Sequence, residues 1–198
     1  MRLFLAIFCF LLLSTWACVS AKDCWYYYNP SKTKLEWRAF RFLEKQAIRG
    51  TFYTIKVDAR KQYSTSYDLL ADLKFKVYTQ SIFTADKQRD ERIYKHFFAK
   101  LRSGKWFKGS FSNISDNTAT LSLNFNQQSQ KIPITYQKDG QGNIKFAFTI
   151  DLLDWGTTKV FKQFRTLYYQ YLLSKNGTPF LWSQVEVYAH TKLDKRCY

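Results

Sequence analysis

Few residues in this 198-residue sequence have the types and spacing that catalysis requires. The chain contains two histidines, His96 and His190, and neither lies in a spacing typical of a pair of zinc ligands. The sequence has no G-x-S-x-G motif and no phosphate-binding loop. The enzymatic hypothesis is that His96 acts as a general base, and we rank it below a non-catalytic function. We therefore expect a protein that is not an enzyme and needs neither a metal nor another cofactor.

Aromatic residues are more informative, since they make up 19% of the sequence. Most of them fall on the apolar side of segments in which apolar and polar residues alternate. Rings of this size are hard to pack without gaps, so a closed sheet lined by them can enclose a cavity for a long apolar ligand. A solid aromatic core without a ligand is the alternative, and the residues alone leave both open.

Alternation of apolar and polar residues predicts eight β-strands. They lie at residues 34–39, 50–57, 73–79, 106–111, 121–125, 132–136, 144–152 and 181–190. Pro133 indicates an edge or a bulge in its strand, because proline has no backbone N–H to donate. Residues 139–143, DGQGN, predict a hairpin turn before the strand with the clearest alternation.

A segment at about residues 157–174 has the helical period instead. Its apolar residues span an arc of about 140° when each residue advances by about 100°. Lys159, Lys162 and Arg165 lie outside that arc. The segment is therefore predicted to be an amphipathic helix, which either closes one end of a barrel or acts as a lid that contacts a membrane.

The N-terminus and the cysteines both indicate export. Residues 1–21 resemble a cleaved signal peptide, which leaves one domain at residues 22–198. Lipidation at Cys18 is the alternative, although the bulky Trp16 precedes it. Cys24 and Cys197 remain after cleavage, and in an oxidising compartment they are expected to form a disulfide rather than two free thiols.

The sequence is strongly basic, with 31 lysine and arginine residues against 15 aspartate and glutamate residues and a net charge of +16. The basic residues are spread along the chain, so an exported protein of this kind is expected to be attracted to an anionic membrane surface. Basic strands interleaved with aromatic residues are also typical of surfaces that bind polyanions or single-stranded nucleic acid. This is the alternative function, although export argues against nucleic acid as a partner. The residues predict no oligomeric state.

The stretch at residues 81–98, SIFTADKQRDERIYKHFF, joins the end of a strand to a charged turn and then to two adjacent phenylalanines. Its pattern resembles the signature of the YceI-like family, secreted β-barrels that bind lipids such as polyisoprenoids. The matching residues are Ser81, Ile82, Thr84, Arg89, Asp90, Ile93 and Phe98. From the residues alone, Arg89 and Asp90 form either an exposed ion pair or a partly buried pair that holds the turn.

Other segments resemble the same family. Residues 35–52 are similar to its opening hairpin, residues 132–136 to a later strand, and Asp154 with Trp155 to the end of its penultimate strand. Arg41 stands where members often carry a histidine, so a polar contact made by that histidine is not carried over. The resemblance does not cover the helix predicted at residues 157–174.

The resemblance implies a mainly β fold, an antiparallel lipocalin-like β-barrel of about eight strands with one added amphipathic helix. It implies binding, and transport or storage, of an isoprenoid or other long-chain lipid in an apolar barrel cavity, in a periplasmic or secreted protein. The residues then expected to line the cavity come from the inward-facing positions of the strands and from the stretch at 81–98. They are Trp37, Phe52, Phe75, Val77, Phe98, Phe111, Leu123, Phe125, Phe146, Phe148, Ile150 and Val185.

Overall fold

The computed structural model describes residues 23–174 and 177–198, so the predicted signal peptide at residues 1–21 lies outside the described residues. Its main feature is a ten-stranded antiparallel sheet, and a separate two-stranded sheet pairs the two ends of the described chain. The strands are β1 (Cys24–Tyr27), β2 (Lys34–Arg41), β3 (Gln46–Phe52), β4 (Ile55–Asp58), β5 (Lys74–Tyr78), β6 (Ile82–Phe83), β7 (Trp106–Ser112), β8 (Thr118–Phe125), β9 (Gln128–Lys138), β10 (Asn143–Asp151), β11 (Leu181–Lys192) and β12 (Asp194–Cys197).

The ten-stranded sheet curls until its two ends meet. Its strand order is β4-β5-β7-β8-β9-β10-β11-β2-β3-β6, and only Tyr53 and Thr54 separate β3 from β4. The Tyr53 N–H donates to the Ser81 carbonyl at 3.0 Å, and the Tyr78 N–H donates to the Thr54 carbonyl at 3.0 Å. We therefore count β3 with β4, and β5 with β6, as two bent strands. This gives eight barrel strands, as the alternation predicts.

The antiparallel order places the connections at two distinct ends of the barrel. Helices α2 (Lys87–His96) and α3 (Thr158–Leu167) and the turn between β2 and β3 lie at one end, which we call the helical end. Helix α1 (Ser66–Asp72) and the β1–β12 pair lie at the opposite end, which we call the disulfide end because Cys24 and Cys197 are bonded there. The disulfide predicted from the two cysteines is thereby confirmed.

The helices differ from the prediction in number and length. The helix expected at residues 157–174 ends at Leu167 and continues as a 3₁₀ turn at Tyr169–Leu172. Tyr168 leaves the helical conformation, and the Leu172 carbonyl accepts a hydrogen bond from the Phe180 N–H at 3.0 Å. This contact ties the segment to the chain that enters β11. Among the described residues, no helix is long and apolar enough to cross a membrane.

Two glycines allow large rings to lie against the inner wall of the barrel. Gly50 is the cross-strand partner of Trp37, and a Cβ atom at Gly50 would lie 2.3 Å from Cζ2 of that ring. Gly109 is the partner of Phe75, and its Cβ would lie 2.3 Å from the Phe75 Cζ. Any larger residue at either position would displace the ring from the wall, so these glycines set the inner surface of the barrel.

The start of α2 is held through Thr84, which is 7% exposed. The Asp90 Oδ1 atom accepts hydrogen bonds from the Thr84 backbone N–H at 2.9 Å and from its hydroxyl at 2.6 Å. Arg89 donates to the Thr84 hydroxyl at 2.8 Å and to its carbonyl at 2.7 Å. Arg89 and Asp90 therefore hold the turn together, each through Thr84, and the Arg89 guanidinium lies 3.9 Å from the Asp86 carboxylate.

Trp155 closes the barrel where β9 and β10 separate. The two strands pair only between Thr135 and Lys138 on the β9 side, which leaves Pro133 facing no β10 partner. Trp155 is 1% exposed, and its indole N–H donates to the Leu123 carbonyl at 3.1 Å. The ring thus replaces the missing strand contacts at the helical end of the barrel.

Candidate functional site

The barrel encloses a cavity of about 500 Å³. That volume lies within the range of roughly 300–1,000 Å³ that is common for small-molecule sites. Its lining comes from seven of the eight barrel strands and is dominated by aliphatic and aromatic side chains. Beside its aromatic core the protein therefore holds a preformed apolar space, rather than the solid aromatic core that the sequence left as an alternative.

The structure brings together the residues that the sequence predicts for the site. All twelve have atoms that line the cavity: Trp37, Phe52, Phe75, Val77, Phe98, Phe111, Leu123, Phe125, Phe146, Phe148, Ile150 and Val185. For eleven of them the position follows from strand alternation, because every second residue of a barrel strand faces inward. Phe98 is the exception, since it lies in the 3₁₀ turn that follows α2. Contact between these residues and a ligand stays a prediction.

One wall of the cavity is built from three rows of paired residues across β10, β11 and β2. The rows are Ile150–Val185–Ala39, Phe148–Val187–Trp37 and Phe146–Ala189–Leu35. Most of these inward-facing residues are only half-buried, because the open cavity lies against them. Two of these residues, Ala39 and Ala189, have small side chains that leave space inside the barrel. The free volume therefore extends along the strands.

The opposite wall is filled by aromatic rings. Phe52 contacts Phe98 and Phe107 edge-on, with ring centroids 5.9 Å and 5.5 Å apart. Phe111 stacks on Phe146 at 5.1 Å and 15° between ring planes. Aromatic pairs in these geometries add stability beyond their buried area. This side is therefore a closely packed core that reaches Phe146, and the three rows across β10, β11 and β2 supply the surface against which a ligand can lie.

Polar and aromatic side chains form a rim where the cavity reaches the helical end. Arg41 donates through Nε to Gln46 Oε1 at 2.8 Å and through Nη1 to the Tyr171 carbonyl at 3.3 Å. The Arg92 guanidinium lies 4.6 Å from the centre of the Tyr171 ring. Tyr171 lines the cavity and is also 55% exposed. The cavity therefore reaches the protein surface beside this residue.

Helix α1 covers the disulfide end. Leu69, Leu70 and Leu73 are at most 6% exposed, and the last two line the cavity. Tyr63 anchors this helix, since its hydroxyl donates to Asp72 Oδ2 at 2.8 Å. Burial, and then this hydrogen bond, raise the pKa of Tyr63, and the same bond lowers the pKa of Asp72. The two groups therefore hold α1 in place without titrating near neutral pH.

The described residues offer little for catalysis. His96 does not line the cavity; its ring packs edge-on against Tyr168 at 5.5 Å, and burial lowers its pKa. His190 reaches the cavity lining near the disulfide end. Within residues 23–174 and 177–198, no three His, Cys, Asp or Glu side chains are grouped as metal ligands would be. Trp37 Nε1 is a buried donor that has no hydrogen-bond partner in the same ranges.

Sequence reasoning missed the rim. Arg89, Arg92 and Ile93 line the cavity from α2, and Tyr168 and Tyr171 line it from the segment after α3. The spacing of Arg89 and Ile93, four residues apart, was the available indication that one face of α2 turns toward the barrel. Which helical face meets the barrel depends on contacts with distant strands, so that spacing alone was insufficient.

Comparison with known proteins agrees with this architecture. The barrel is similar to a polyisoprenoid-binding domain from Saccharophagus degradans, with a TM-score of 0.58 and 11% identity over 84% of this chain and 98% of that one. It is also similar to BcnA from Burkholderia cenocepacia, with a TM-score of 0.56 and 11% identity over 84% of this chain and 99% of that one. At this identity the likeness shows the fold, and it confirms the predicted lipocalin-like barrel.

A search of curated proteins found no match. The sequence model of the YceI-like domain, however, matches residues 26–192. That range contains the whole barrel, from β2 to β11, and both helices of the rim. Because the match covers most of the chain, the protein belongs to the YceI-like family.

Proposed function

We propose that this protein binds a long apolar chain, an isoprenoid or a similar lipid, in the barrel cavity and performs no catalysis. The observation that carries the proposal is the preformed cavity bounded by the rows Ile150–Val185–Ala39, Phe148–Val187–Trp37 and Phe146–Ala189–Leu35. Membership of the YceI-like family and likeness to a polyisoprenoid-binding domain support lipid binding in general. Transport or storage of that lipid is the role that follows.

The shape of the cavity favours a linear ligand. Lining residues on β2 extend from Lys34 to Arg41, and a strand rises by about 3.3 Å per residue, so the lining is about 23 Å long. Apolar atoms line that length, and the polar rim lies at its helical end. A linear lipid would bury its chain along the rows and leave its polar end near Arg41 and Tyr171.

The compartment is part of the proposal. The Cys24–Cys197 disulfide suggests an oxidising environment. We place the protein in the periplasm or outside the cell, with residues 1–21 as a cleaved signal peptide and residues 22–198 as the mature domain. In such a compartment a bound lipid must leave a membrane before it enters the barrel.

The helical end has the side chains expected of a membrane-facing surface. Leu43, Leu167, Tyr169 and Tyr171 are 48–57% exposed there. Lys45 lies 4.3 Å from the ring centre of Trp182, and the Trp182 indole donates to the Phe42 carbonyl at 2.7 Å, so the β2–β3 turn adjoins the rim. Exposed aromatic and aliphatic groups among cations suit an anionic bilayer. Docking at this end would bring the cavity opening to the lipid.

Ligand content is the direct test of the lipid-binding function. Protein purified from its native host should release a stoichiometric amount of long-chain lipid on organic extraction, and native mass spectrometry should show the matching added mass. An isoprenoid added to stripped protein at about 100 times its Kd should raise the free energy of unfolding by about 2.7 kcal/mol. Absence of lipid from folded protein, together with an unchanged Tm in added isoprenoid, would exclude the function.

Charge reversal on α3 tests the membrane-facing surface. Lys159 and Lys162 are exposed and Arg165 is half-buried beside Phe180, whereas Phe161 packs inward at 5% exposed. Replacing the three cations by glutamate should slow lipid uptake from vesicles that contain anionic lipid, because attraction to the surface is lost. Uptake from neutral vesicles, stability and the content of already bound lipid should not change.

The matched control reverses three exposed lysines in the half of the barrel nearer the disulfide end, Lys61, Lys145 and Lys195. It has the same net charge as the α3 variant and should take up lipid at nearly the wild-type rate. Uptake that is equally slow in both variants would indicate general charge attraction. If the α3 variant takes up lipid at the wild-type rate, α3 is only a structural plug that closes the barrel.

A further inference from the structure

Three lysines form a row across the outer wall of the barrel, on the side away from the cavity. In the register of the sheet, Lys56 of β4 lies directly opposite Lys76 of β5, and Lys76 lies directly opposite Lys108 of β7. All three are exposed, while their neighbour Val77 on β5 is buried in the core. Adjacent strands are about 4.8 Å apart, so the three lysine side chains leave the sheet from positions that lie in a line.

This arrangement opposes stability, because like charges on directly opposite residues repel. No acidic side chain among the described residues offsets the repulsion. No salt bridge among the described residues includes Lys56, Lys76 or Lys108. The one acidic side chain in the neighbouring row of these strands is Asp58, and it pairs with Lys74 rather than with the lysine row. The position therefore suits an anion supplied from outside.

Aromatic rings border the row toward the helical end. Tyr78 lies opposite Trp106, with ring centroids 4.9 Å apart and planes tilted by 36°. The Lys56 ammonium lies 5.4 Å from the Trp106 ring centre, and the Lys105 ammonium lies 5.9 Å from that of Tyr78. The two rings cover each other and are faced by cations, so they do not present the open faces on which nucleic-acid bases stack.

We propose that the lysine row, defined as Lys56, Lys76 and Lys108, is a docking site for a linear anionic polysaccharide. A straight line of point charges matches a polymer that carries regularly spaced sulfate or carboxylate groups. The row contains no arginine, the side chain that recognises phosphate in a bidentate manner. The disulfide suggests an oxidising compartment, where such polysaccharides occur. This site lies on the outer face of the wall and does not depend on lipid binding in the cavity.

Heparin serves as the model polymer for the test, measured by titration calorimetry at several salt concentrations. The wild-type protein should bind it, and K56Q/K76Q/K108Q should weaken binding by at least tenfold at about 50 mM salt. The slope of log affinity against log salt should fall by about three, one for each lost contact. Lipid content should stay unchanged, which separates this result from a failure of the cavity function.

The control variant K61Q/K95Q/K145Q removes the same charge from three scattered exposed positions. It should bind heparin like the wild-type protein, and an equal loss in both variants would overturn the proposal. Tighter binding of oligothymidylate or of anionic vesicles through the same three lysines would overturn it in favour of those partners. Because the row opposes stability, K56Q/K76Q/K108Q should have an unchanged or higher Tm. A lower Tm would show that the row serves the fold, which would also overturn the proposal.

Discussion

Phe148→Asp should abolish lipid retention while the protein stays folded. Phe148 occupies the middle row of the cavity wall, opposite Val187, and faces the open cavity. The change removes a large apolar surface and places a hydrated carboxylate against the ligand chain. Loss of about 3 kcal/mol of binding free energy, or roughly a hundredfold in Kd, is expected from the lost burial alone. Extracted lipid and a fluorescence titration with an added isoprenoid measure the effect.

Two further variants separate ligand loss from damage to the barrel. Ala147→Asp introduces the same charge at the next residue, which is exposed on the outer face opposite Tyr188, and should keep the lipid. Ile150→Trp adds volume to the row Ile150–Val185–Ala39 without adding charge, and should reduce lipid content by filling the cavity. Full lipid content in a folded Phe148→Asp protein would mean that the ligand lies elsewhere.

Removal of the disulfide should cause the largest loss of stability. The bond joins Cys24 to Cys197 across 173 residues of sequence, and so restricts nearly the whole unfolded chain. The chain-entropy estimate for a loop of this length is about 5 kcal/mol. A single domain has a total stability of only about 5–15 kcal/mol, so the double variant C24S/C197S should unfold at a much lower urea concentration. Urea denaturation of both proteins at equal concentration gives the difference.

The same bond should matter little for the cavity. It fastens β1 to β12, whereas the cavity is lined by the ten-stranded sheet, the helices and the segments that join them. C24S/C197S that is still folded at low temperature should therefore keep its lipid. Wild-type protein treated with a reductant is the matched control and should lose the same stability. A loss below about 1 kcal/mol in both would show that Tyr26–Tyr63 and the other contacts of β1 hold the chain ends without the bond.

The barrel and much of its lining could be predicted from the sequence for a local reason. Side chains alternate between the two faces of a strand, so residues such as Phe146, Phe148 and Ile150 share a face wherever the strand pairs. The same reasoning located all eight barrel strands. Counting the cysteines outside the predicted signal peptide was enough to predict the Cys24–Cys197 bond, since residues 22–198 contain no other cysteine.

The tertiary structure decided α1, α2 and the point at which α3 ends. α1 has seven residues and α2 has ten, lengths at which isolated helices are marginal in water. Contacts with distant parts of the chain hold them in place: Lys138 of β9 donates to the Ser66 hydroxyl on α1 at 3.0 Å, and the Arg92 guanidinium on α2 lies 4.6 Å from the Tyr171 ring centre. The end of α3 was also set from a distance, by the hydrogen bond between Leu172 and Phe180.

The sequence alone could not predict either surface on which the proposals rest, the rim or the lysine row. The rim combines Arg41, Arg92 and Tyr171 from three separate segments, and the lysine row combines residues from β4, β5 and β7. Alternation shows which face of a strand a lysine occupies, but strand register decides which lysine lies opposite it. Register depends on the bend between β3 and β4 and on packing across the closed barrel. The sequence therefore determined the inside of the barrel, and folding determined which charges meet on its surface.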